Sequence, residues 1–235
     1  MTLTQIEKER YNRHIITTGF GEEGQLKLKT AKVLVIGAGG LGCPVIQYLV
    51  AAGVGKIGIV DGDTVSLSNL QRQILYATDE IGQSKVSVAG SKMTRLNPSV
   101  TLELIDEFLT EELADRLFAN YDVVVGATDN YTSRYLIDTK SRQYAIPFVH
   151  GSIFECEGQL SVFNYKGGNS YADLFGEASP ETAKPAGVIG AIPGIIGSLM
   201  ALETIKILTG IGSVNANKLL LYNGLDNSFR QIAMN

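Results

Sequence analysis

The chain has 235 residues, of which 20 are basic and 24 acidic, and its formal net charge is −4. A chain of this length buries roughly 70–75% of the surface that its unfolded form exposes, so one sizeable core is expected. The negative charge argues against a protein whose main partner is nucleic acid. The two cysteines, Cys43 and Cys156, are too few for a disulfide framework and favour a reducing, cytoplasmic compartment.

Neither the N-terminus nor the longest apolar stretch predicts insertion into a membrane. The first fifteen residues are charged and periodic and contain no apolar signal-peptide core. The apolar stretch from Pro193 to Leu208 contains Glu203 and Lys206 and is short for a membrane span. No membrane partner is therefore expected.

The predicted elements begin with an amphipathic helix over residues 3–16, followed by a buried strand where four apolar residues run from Val33 to Ile36. Further helices are predicted over 41–52, 83–96, 111–118, 131–144 and 194–209. Further strands are predicted over 57–61, 100–105, 122–126, 147–151, 159–163, 218–222 and 229–233. This alternation predicts an α/β, Rossmann-like, doubly wound fold whose mainly parallel sheet is extended by the C-terminal strands.

Residues 164–187 contain no convincing element, and a loop of this length is usually functional or disordered. We therefore expect one domain over 1–235 in four parts: an N-terminal helical arm (1–30), a nucleotide-binding core (31–163), a crossover loop (164–187) and a C-terminal helix with strands (188–235).

A glycine motif lies between the first strand and the helix that follows it. Gly37, Gly39, Gly40 and Gly42 fit G-x-G-x-x-G, in which glycines let a phosphate approach the backbone at a helix N-terminus. Asp61 ends the next strand, where a carboxylate can bind ribose hydroxyls. The motif alone fits NAD as well as ATP, and tight packing without a nucleotide is the plain alternative.

The segment after Asp61 favours a triphosphate. Residues 61–73 are dense in acids and amides, and include Arg72, which with Asn69 offers fixed hydrogen-bond donors to phosphate oxygens. Lys85 lies near the start of a helix, where a cation opposes the helix dipole unless a phosphate is bound there. A solvated surface lysine is the alternative interpretation.

A third polar group, 127–130, ends a buried strand, and ligands of open α/β sheets lie beyond such strand ends. Asp129 there is a candidate Mg²⁺ ligand, and Asp129 or Asn130 also suits the N-cap of the next helix. His14 and His150, like Cys43 and Cys156, have no partner at catalytic spacing. We interpret His150 as a hydrogen-bonded core or rim residue and Cys43 as packing.

These motifs resemble the ThiF/MoeB/HesA family of ubiquitin-activating-enzyme-like adenylyltransferases. The resemblance rests on GAGGLG, on the string DGDTVSLSNLQRQ, on the later GQSK and ATDN, on GIIGSLMALETIK, and on the N-terminal RYNRHI. It runs from about residue 10 to residue 233, and the LSNLQRQ string is its most specific part.

The resemblance implies an enzyme that uses ATP and Mg²⁺ to adenylate the C-terminal Gly-Gly carboxylate of a small ubiquitin-like sulfur carrier. It implies that Asp61 binds ribose, that Asp129 holds Mg²⁺ with Asn130 beside it, and that Arg13 reaches the active site of the other subunit of a homodimer. The catalytic and nucleotide-binding residues implied in this way are Arg13, Gly37, Gly39, Gly40, Gly42, Asp61, Asp63, Ser68, Asn69, Leu70, Gln71, Arg72, Lys85, Asp129 and Asn130.

The sequence departs from the family pattern at its cysteines. Where many relatives carry the first C-x-x-C zinc pair the chain reads Ser170 to Asp173, and Ala183 occupies a position that is often cysteine. We therefore predict no zinc site and no covalent enzyme–carrier bond. ThiS-like and MoaD-like carriers, for thiamine or molybdopterin synthesis, remain equal candidates. Adenylation of another carboxylate, such as one on a modified tRNA base, and an NAD-dependent oxidoreductase are the alternatives.

Overall fold

The computed structural model of the protein describes residues 2–176 and 187–234. The helices in these ranges are α1 (Gln5–Arg10), α2 (Asn12–Ile15), α3 (Gly21–Thr30), α4 (Gly42–Ala52), α5 (Lys85–Leu96), α6 (Glu111–Leu117), α7 (Tyr131–Gln143), α8 (Tyr171–Phe175) and α9 (Ala191–Thr209). The strands are β1 (Lys32–Ile36), β2 (Lys56–Val60), β3 (Thr101–Ile105), β4 (Val123–Gly126), β5 (Phe148–Phe154), β6 (Glu157–Phe163), β7 (Lys218–Asn223) and β8 (Ser228–Ala233).

Within the described ranges, these strands form one sheet in the order β3-β2-β1-β4-β5-β6-β7-β8. The five strands from β3 to β5 are parallel, and β6, β7 and β8 continue the sheet antiparallel. The predicted α/β fold, with a parallel sheet extended by C-terminal strands, is therefore confirmed. The chain proceeds from β1 outward to β3 and then returns to the other side of β1, so the strand order reverses between β1 and β4. Ligands of such sheets bind beyond the carboxyl ends of the strands at that point.

Both faces of the parallel strands are covered, which explains their continuous apolar sequences. In β1, Val33 and Val35 pack into the core beneath α4, α5 and α9, while Leu34 and Ile36 pack into the core beneath α6 and α7. By length and composition alone, α9 is the one helix in the described residues that could cross a membrane. It packs on α4, β5 and β6.

The N-terminal arm differs from the single helix predicted over 3–16. The helix is interrupted at Tyr11, whose ring is buried and whose hydroxyl accepts a 2.8 Å hydrogen bond from Nδ2 of Asn97. This contact with a distant residue ends α1 and starts α2. The helix α3 was not predicted, because its sequence GEEGQLKLKT contains two glycines and little apolar periodicity.

The prediction that residues 164–187 hold no element is wrong for the described part. A 3₁₀ turn spans Tyr165–Gly167, and α8 follows it. Ser170 caps α8 by accepting a hydrogen bond from the backbone N–H of Asp173, whose carboxylate accepts one from the N–H of Ser170. Ala183 lies outside the described residues, as does most of the segment after α8.

Candidate active site

The glycine loop between β1 and α4 is shaped by two of its glycines. Gly37 has a φ of +98°, and a Cβ there would lie 2.6 Å from the carbonyl oxygen of Ala127 at the end of β4. A Cβ on Gly42 would lie 2.0 Å from the carbonyl oxygen of Gly37. These two glycines therefore allow the loop to pass close to β4 and to the start of α4, which leaves Gly39 and Gly40 facing the space above the sheet.

Asp61, directly after β2, holds the middle of this loop. Its Oδ2 accepts a 2.7 Å hydrogen bond from the backbone N–H of Ala38, and its Oδ1 accepts a 2.8 Å hydrogen bond from the N–H of Asp63. The hydroxyl of Tyr76 donates to the carbonyl oxygen of Ala38 at 2.7 Å. Burial raises the pKa of Asp61, and its backbone hydrogen bonds oppose that rise. The loop is thus fixed before any ligand is present.

Two cations face the loop from the segment that follows Asp61. Nζ of Lys85, at the first residue of α5, lies 2.7 Å from Oδ2 of Asp63, and its side chain is only 4% exposed. Nη1 of Arg72 donates to the carbonyl oxygen of Ser68 at 3.1 Å. Two positive charges at a glycine loop form a site for a polyanion such as a chain of phosphates.

The loop after β4 provides a carboxylate. Of the two predicted candidates for the N-cap of the next helix, Asp129 and Asn130, the structure confirms Asn130. Its Oδ1 accepts a 2.8 Å hydrogen bond from the N–H of Ser133. The carbonyl oxygen of Thr128 accepts a 3.2 Å hydrogen bond from Nη2 of Arg134. Asp129 between them is exposed, and its carboxylate has no hydrogen bond or ion pair with any described residue.

A cavity of about 260 Å³ lies among these groups. The predicted site residues that line it are Gly37, Gly39, Gly40, Asp61, Asp63, Asn69, Arg72, Lys85, Asp129 and Asn130.

Five predicted site residues do not line the cavity. Gly42 acts in packing instead, and Arg13 is exposed on α2. Ser68, Leu70 and Gln71 lie in a helical turn, and the residues of that turn which line the cavity are Asn69, Arg72 and Gln73. Asn69, Arg72 and Gln73 are spaced i, i+3 and i+4, so their side chains lie on one face of a helical turn. The other three side chains lie on its other faces.

The cavity also contains residues that sequence reasoning missed: Gln73, Glu107, Phe108, Leu109, Thr128, Ser133, Arg134, Ile153 and Pro193. Glu107 to Leu109 follow β3, so their place after a parallel strand was a usable signal. Thr128 belongs to the ATDN motif itself. Ile153 and Pro193 come from distant parts of the chain, and no local pattern marks them.

The histidine and cysteine side chains take no part in this cavity. His150 is buried as predicted, but neither ring nitrogen has a hydrogen-bond partner in the described ranges, so the predicted hydrogen bond is absent there. Burial, with nearby Arg134, lowers the pKa of His150 well below its ordinary value. Cys43 is buried in the core as predicted, and burial raises its thiol pKa to about 12. Cys156 is partly exposed.

The donor set suits magnesium better than a multi-ligand metal centre. Within residues 2–176 and 187–234, no group of three or more His, Cys, Asp or Glu side chains is arranged to hold a metal ion. Magnesium usually takes one or two carboxylates, substrate phosphates and water. Asp129, exposed and without a partner in the described chain, is the carboxylate that fits this role. The absence of zinc stays a prediction.

A glycine loop, a carboxylate directly after the next strand and two cations, all at the switch point of a parallel sheet, are the features of a nucleotide-binding α/β enzyme. The ThiF family model matches residues 11–235, and the chain belongs to this family. It is 44% identical to the sulfur carrier protein adenylyltransferase of Thermus thermophilus over 243 residues, which cover 100% of this chain and 90% of that protein. The family and its named relatives make the chain an adenylyltransferase.

Other relatives are longer proteins. The adenylyltransferase and sulfurtransferase MOCS3 of Anopheles gambiae is 45% identical over 99% of this chain, which spans 54% of that protein. The probable adenylyltransferase/sulfurtransferase MoeZ of Mycobacterium tuberculosis is 42% identical over 99% of this chain, which spans 61% of that protein.

The fold is also that of Escherichia coli MccB crystallised with ATP. The two share a TM-score of 0.85 at 20% identity, covering 99% of this chain and 74% of MccB. PaaA gives a TM-score of 0.81 at 25% identity, covering 99% of this chain and 75% of PaaA.

Proposed function

We propose that the protein uses ATP to adenylate the C-terminal Gly-Gly carboxylate of a small ubiquitin-like sulfur carrier and releases pyrophosphate. One observation carries the proposal: Lys85, Arg72 and the glycine loop converge on one cavity in a chain 44% identical to a sulfur carrier protein adenylyltransferase. The alternative of an NAD-dependent oxidoreductase is disfavoured because the relatives are named adenylyltransferases. Thiamine and molybdopterin carriers remain equal candidates.

The reaction requires alignment and charge neutralisation more than proton transfer. A carboxylate oxygen of the carrier attacks the α-phosphorus, the bond from that phosphorus to the bridging oxygen breaks, and pyrophosphate leaves with the electron pair. Lys85 and Arg72 stabilise the charge that develops on the phosphate oxygens, and the loop N–H groups fix their position. Mg²⁺, held by Asp129, supplies further positive charge when it is bound.

Carrier-dependent exchange of pyrophosphate into ATP tests the proposal. Purified ThiS-like and MoaD-like carriers are compared with the same carriers lacking the last two glycines. We expect exchange with at least one intact carrier and none with either truncated carrier. We expect Arg72→Ala and Lys85→Ala each to slow it by about 10²–10³, because each removes a charge that stabilises the transition state. Lys140→Met removes a lysine outside the cavity and is the matched control. The proposal is contradicted if both single variants retain full exchange activity, or if exchange requires tRNA and not a carrier protein.

We further propose that the enzyme acts as a homodimer in which Arg13 enters the partner's active site. Arg13 is exposed, and its guanidinium has no hydrogen bond or ion pair with any described residue, so it is available to another chain. A groove between α4 and α9 offers an apolar surface for a second copy, with Tyr48 56%, Ile74 65% and Leu202 50% exposed. It begins beside the cavity, because Pro193 lines the cavity and the next residue of α9 lines the groove.

Complementation tests the shared site. Arg13→Ala and Lys85→Ala proteins are each expected to be inactive, since an arginine supplied in trans contributes roughly 10³ or more in rate. After subunit exchange, the mixed dimer has one site with both residues, so activity should return. A mixture of Lys85→Ala with the Arg13→Ala/Lys85→Ala double variant has no complete site and should stay inactive. A monomer by light scattering, or no recovery after confirmed exchange, contradicts this proposal.

We also propose that the carrier leaves as its adenylate, without a thioester to the enzyme. The buried Cys43, with its thiol pKa raised to about 12, is unsuited to attack an acyl group, which leaves Cys156 as the partly exposed thiol. Mass spectrometry of a turnover mixture should reveal no thiol-sensitive carrier adduct. An adduct on Cys156 that dithiothreitol releases contradicts this part of the proposal.

A further inference from the structure

Two glutamines are buried in the described chain, and their hydrogen bonding differs completely. Gln25 is fully buried, and both ends of its amide are paired: Nε2 donates to the carbonyl oxygen of Ala52 at 2.8 Å, and Oε1 lies 3.0 Å from Nδ1 of His14. Gln73 is 4% exposed, and its amide has no hydrogen bond to any described residue. The buried atom without a partner is Oε1, whereas Nε2 has no hydrogen bond to a described residue but is less deeply buried. A buried acceptor without a donor is costly, which makes the position of this amide informative.

The amide of Gln73 lies over the glycine loop. A Cβ built on Gly39 would lie 3.6 Å from Nε2 of Gln73, and one built on Gly40 would lie 3.4 Å from Cγ of Arg72. The adjacent residues 72 and 73 thus cover the adjacent glycines 40 and 39, and both line the cavity. Gln73 is the more deeply buried of the two.

The protein itself does not satisfy this amide. Ala38, which precedes Gly39 in the loop, already has its N–H bound to Asp61 and its carbonyl oxygen bound to Tyr76. With the loop fixed on both sides, the amide of Gln73 faces the space in which a ligand of the glycine loop lies. An amide there adds a donor in a fixed direction without adding charge, so it contributes to position and not to neutralisation.

We propose that Gln73 is a further ligand-binding residue, whose Nε2 donates a hydrogen bond to a non-bridging oxygen of the phosphate held over Gly39. This inference rests on the proposed use of ATP. It assigns Gln73 to recognition of the phosphate chain and not of the nucleoside. Binding of a phosphate chain alone and of a nucleoside alone can therefore be measured separately to test it.

The experiment measures the affinity of the wild-type protein and of Gln73→Met for ATP, for inorganic tripolyphosphate and for adenosine by titration calorimetry. Methionine keeps the length of the side chain and removes both polar ends. We expect ATP and tripolyphosphate to bind about 10- to 100-fold more weakly, the effect of losing a hydrogen bond to a charged group. Adenosine should bind as it does to the wild-type protein. Without ligand, the melting temperature should be unchanged or higher, because the buried and unpaired Oε1 is removed.

Two other glutamines provide matched controls. Gln83→Met changes an exposed residue outside the cavity and should alter neither affinity nor stability. Gln25→Met breaks two satisfied hydrogen bonds, so it should lower the melting temperature and leave the ratio of ATP to adenosine affinity unchanged. Gln73→Glu places a negative charge beside the phosphates without a donor, so it should weaken ATP binding at least as much as methionine does, even if the methionine variant folds poorly.

The outcomes separate this inference from the proposed function. Unchanged ATP affinity in both Gln73 variants, or equal losses for ATP and adenosine, overturns the role of Gln73 and leaves the function intact. A wild-type protein that binds ATP but exchanges no pyrophosphate with any carrier overturns the function and leaves the role of Gln73 intact. A wild-type protein that binds neither ATP nor tripolyphosphate overturns both.

Discussion

The ion pair between Lys85 and Asp63 should respond very differently to removal of its two partners. The Nζ and Oδ2 atoms are 2.7 Å apart, but the lysine side chain is 4% exposed and the aspartate side chain is 55% exposed. Asp63→Asn leaves a buried ammonium group without its ion-pair partner, and only the more distant charge of Asp61 remains nearby. Lys85→Met leaves a carboxylate that water already reaches. The first variant should therefore lose far more stability than the second in the absence of nucleotide.

The magnitude follows from this asymmetry. Breaking a fully buried ion pair by removing one partner costs about 3–5 kcal/mol. Because the aspartate side of this pair is open to water, we expect Asp63→Asn to cost about 1–3 kcal/mol. For a chain of this size, each kcal/mol corresponds to about 2–4 °C in melting temperature, which gives a fall of about 2–12 °C. Lys85→Met also relieves the desolvation of the ammonium group, so its cost should stay below about 1 kcal/mol.

Thermal unfolding with and without ATP is the assay. Phosphates supply the negative charge that Asp63→Asn has lost, so ATP should raise the melting temperature of this variant more than that of the wild-type protein. The control is Asp115→Asn, because Asp115 pairs at 2.7 Å with another buried lysine, Lys140, outside the cavity. Any loss there should persist with ATP. The reasoning is refuted if Lys85→Met is destabilised as much as Asp63→Asn, or if ATP rescues both aspartate variants equally.

Three further predictions concern residues away from the reacting groups. Gly42→Ala places a Cβ 2.0 Å from a backbone carbonyl oxygen and should cost about 3 kcal/mol or more in unfolding free energy, whereas Gly194→Ala, with open space around its Cβ, should not. Native protein at pH 8 should react with a thiol reagent at Cys156 and not at Cys43, and two fast-reacting thiols would contradict the burial argument. Below about pH 6.5 the unfolded chain gains a proton on His150 that the folded protein excludes, so stability should fall by up to about 1.4 kcal/mol per pH unit. His150→Phe should remove this part of the slope in urea denaturation at pH 5.5 to 7, and an unchanged slope would exclude the effect.

The strands and helices that the sequence predicts correctly are those whose buried faces and ends are determined by residues close together in the sequence. The strand β1 is an apolar run ended by glycines, and α9 ends at Gly210 with a left-handed φ of +80°. The break at Tyr11 depends on Asn97, which is 86 residues away, and no local pattern contains that information. The missed helix α8 is different, because the spacing of Ser170 and Asp173 is a capping signal that was present in the sequence.

In the candidate site, too, some residues can be predicted from local sequence and others cannot. Asp61, Asp129 and the glycine loop could be predicted because each lies shortly after a parallel strand, and parallel strands bring such positions to one edge. Gln73 lies in the most specific motif of the chain, yet its neighbour Gln71 was predicted and Gln73 was not. The two glutamines differ in the direction in which their side chains leave a short helical turn, and the motif does not specify that direction.

The unpaired groups of this site have a physical reason to be unpaired. Buried polar atoms without partners in the described residues belong to only a few side chains, and three of these, Gln73, Thr128 and Arg134, line the cavity. By contrast, Asp61, which fixes the shape of the glycine loop, is already paired with two backbone N–H groups. Groups fixed in advance need no reorganisation when charge develops on a phosphate, and this is the main source of electrostatic catalysis. A site built for a polyanion therefore pairs the groups that define its shape and leaves unpaired those that its ligand will contact.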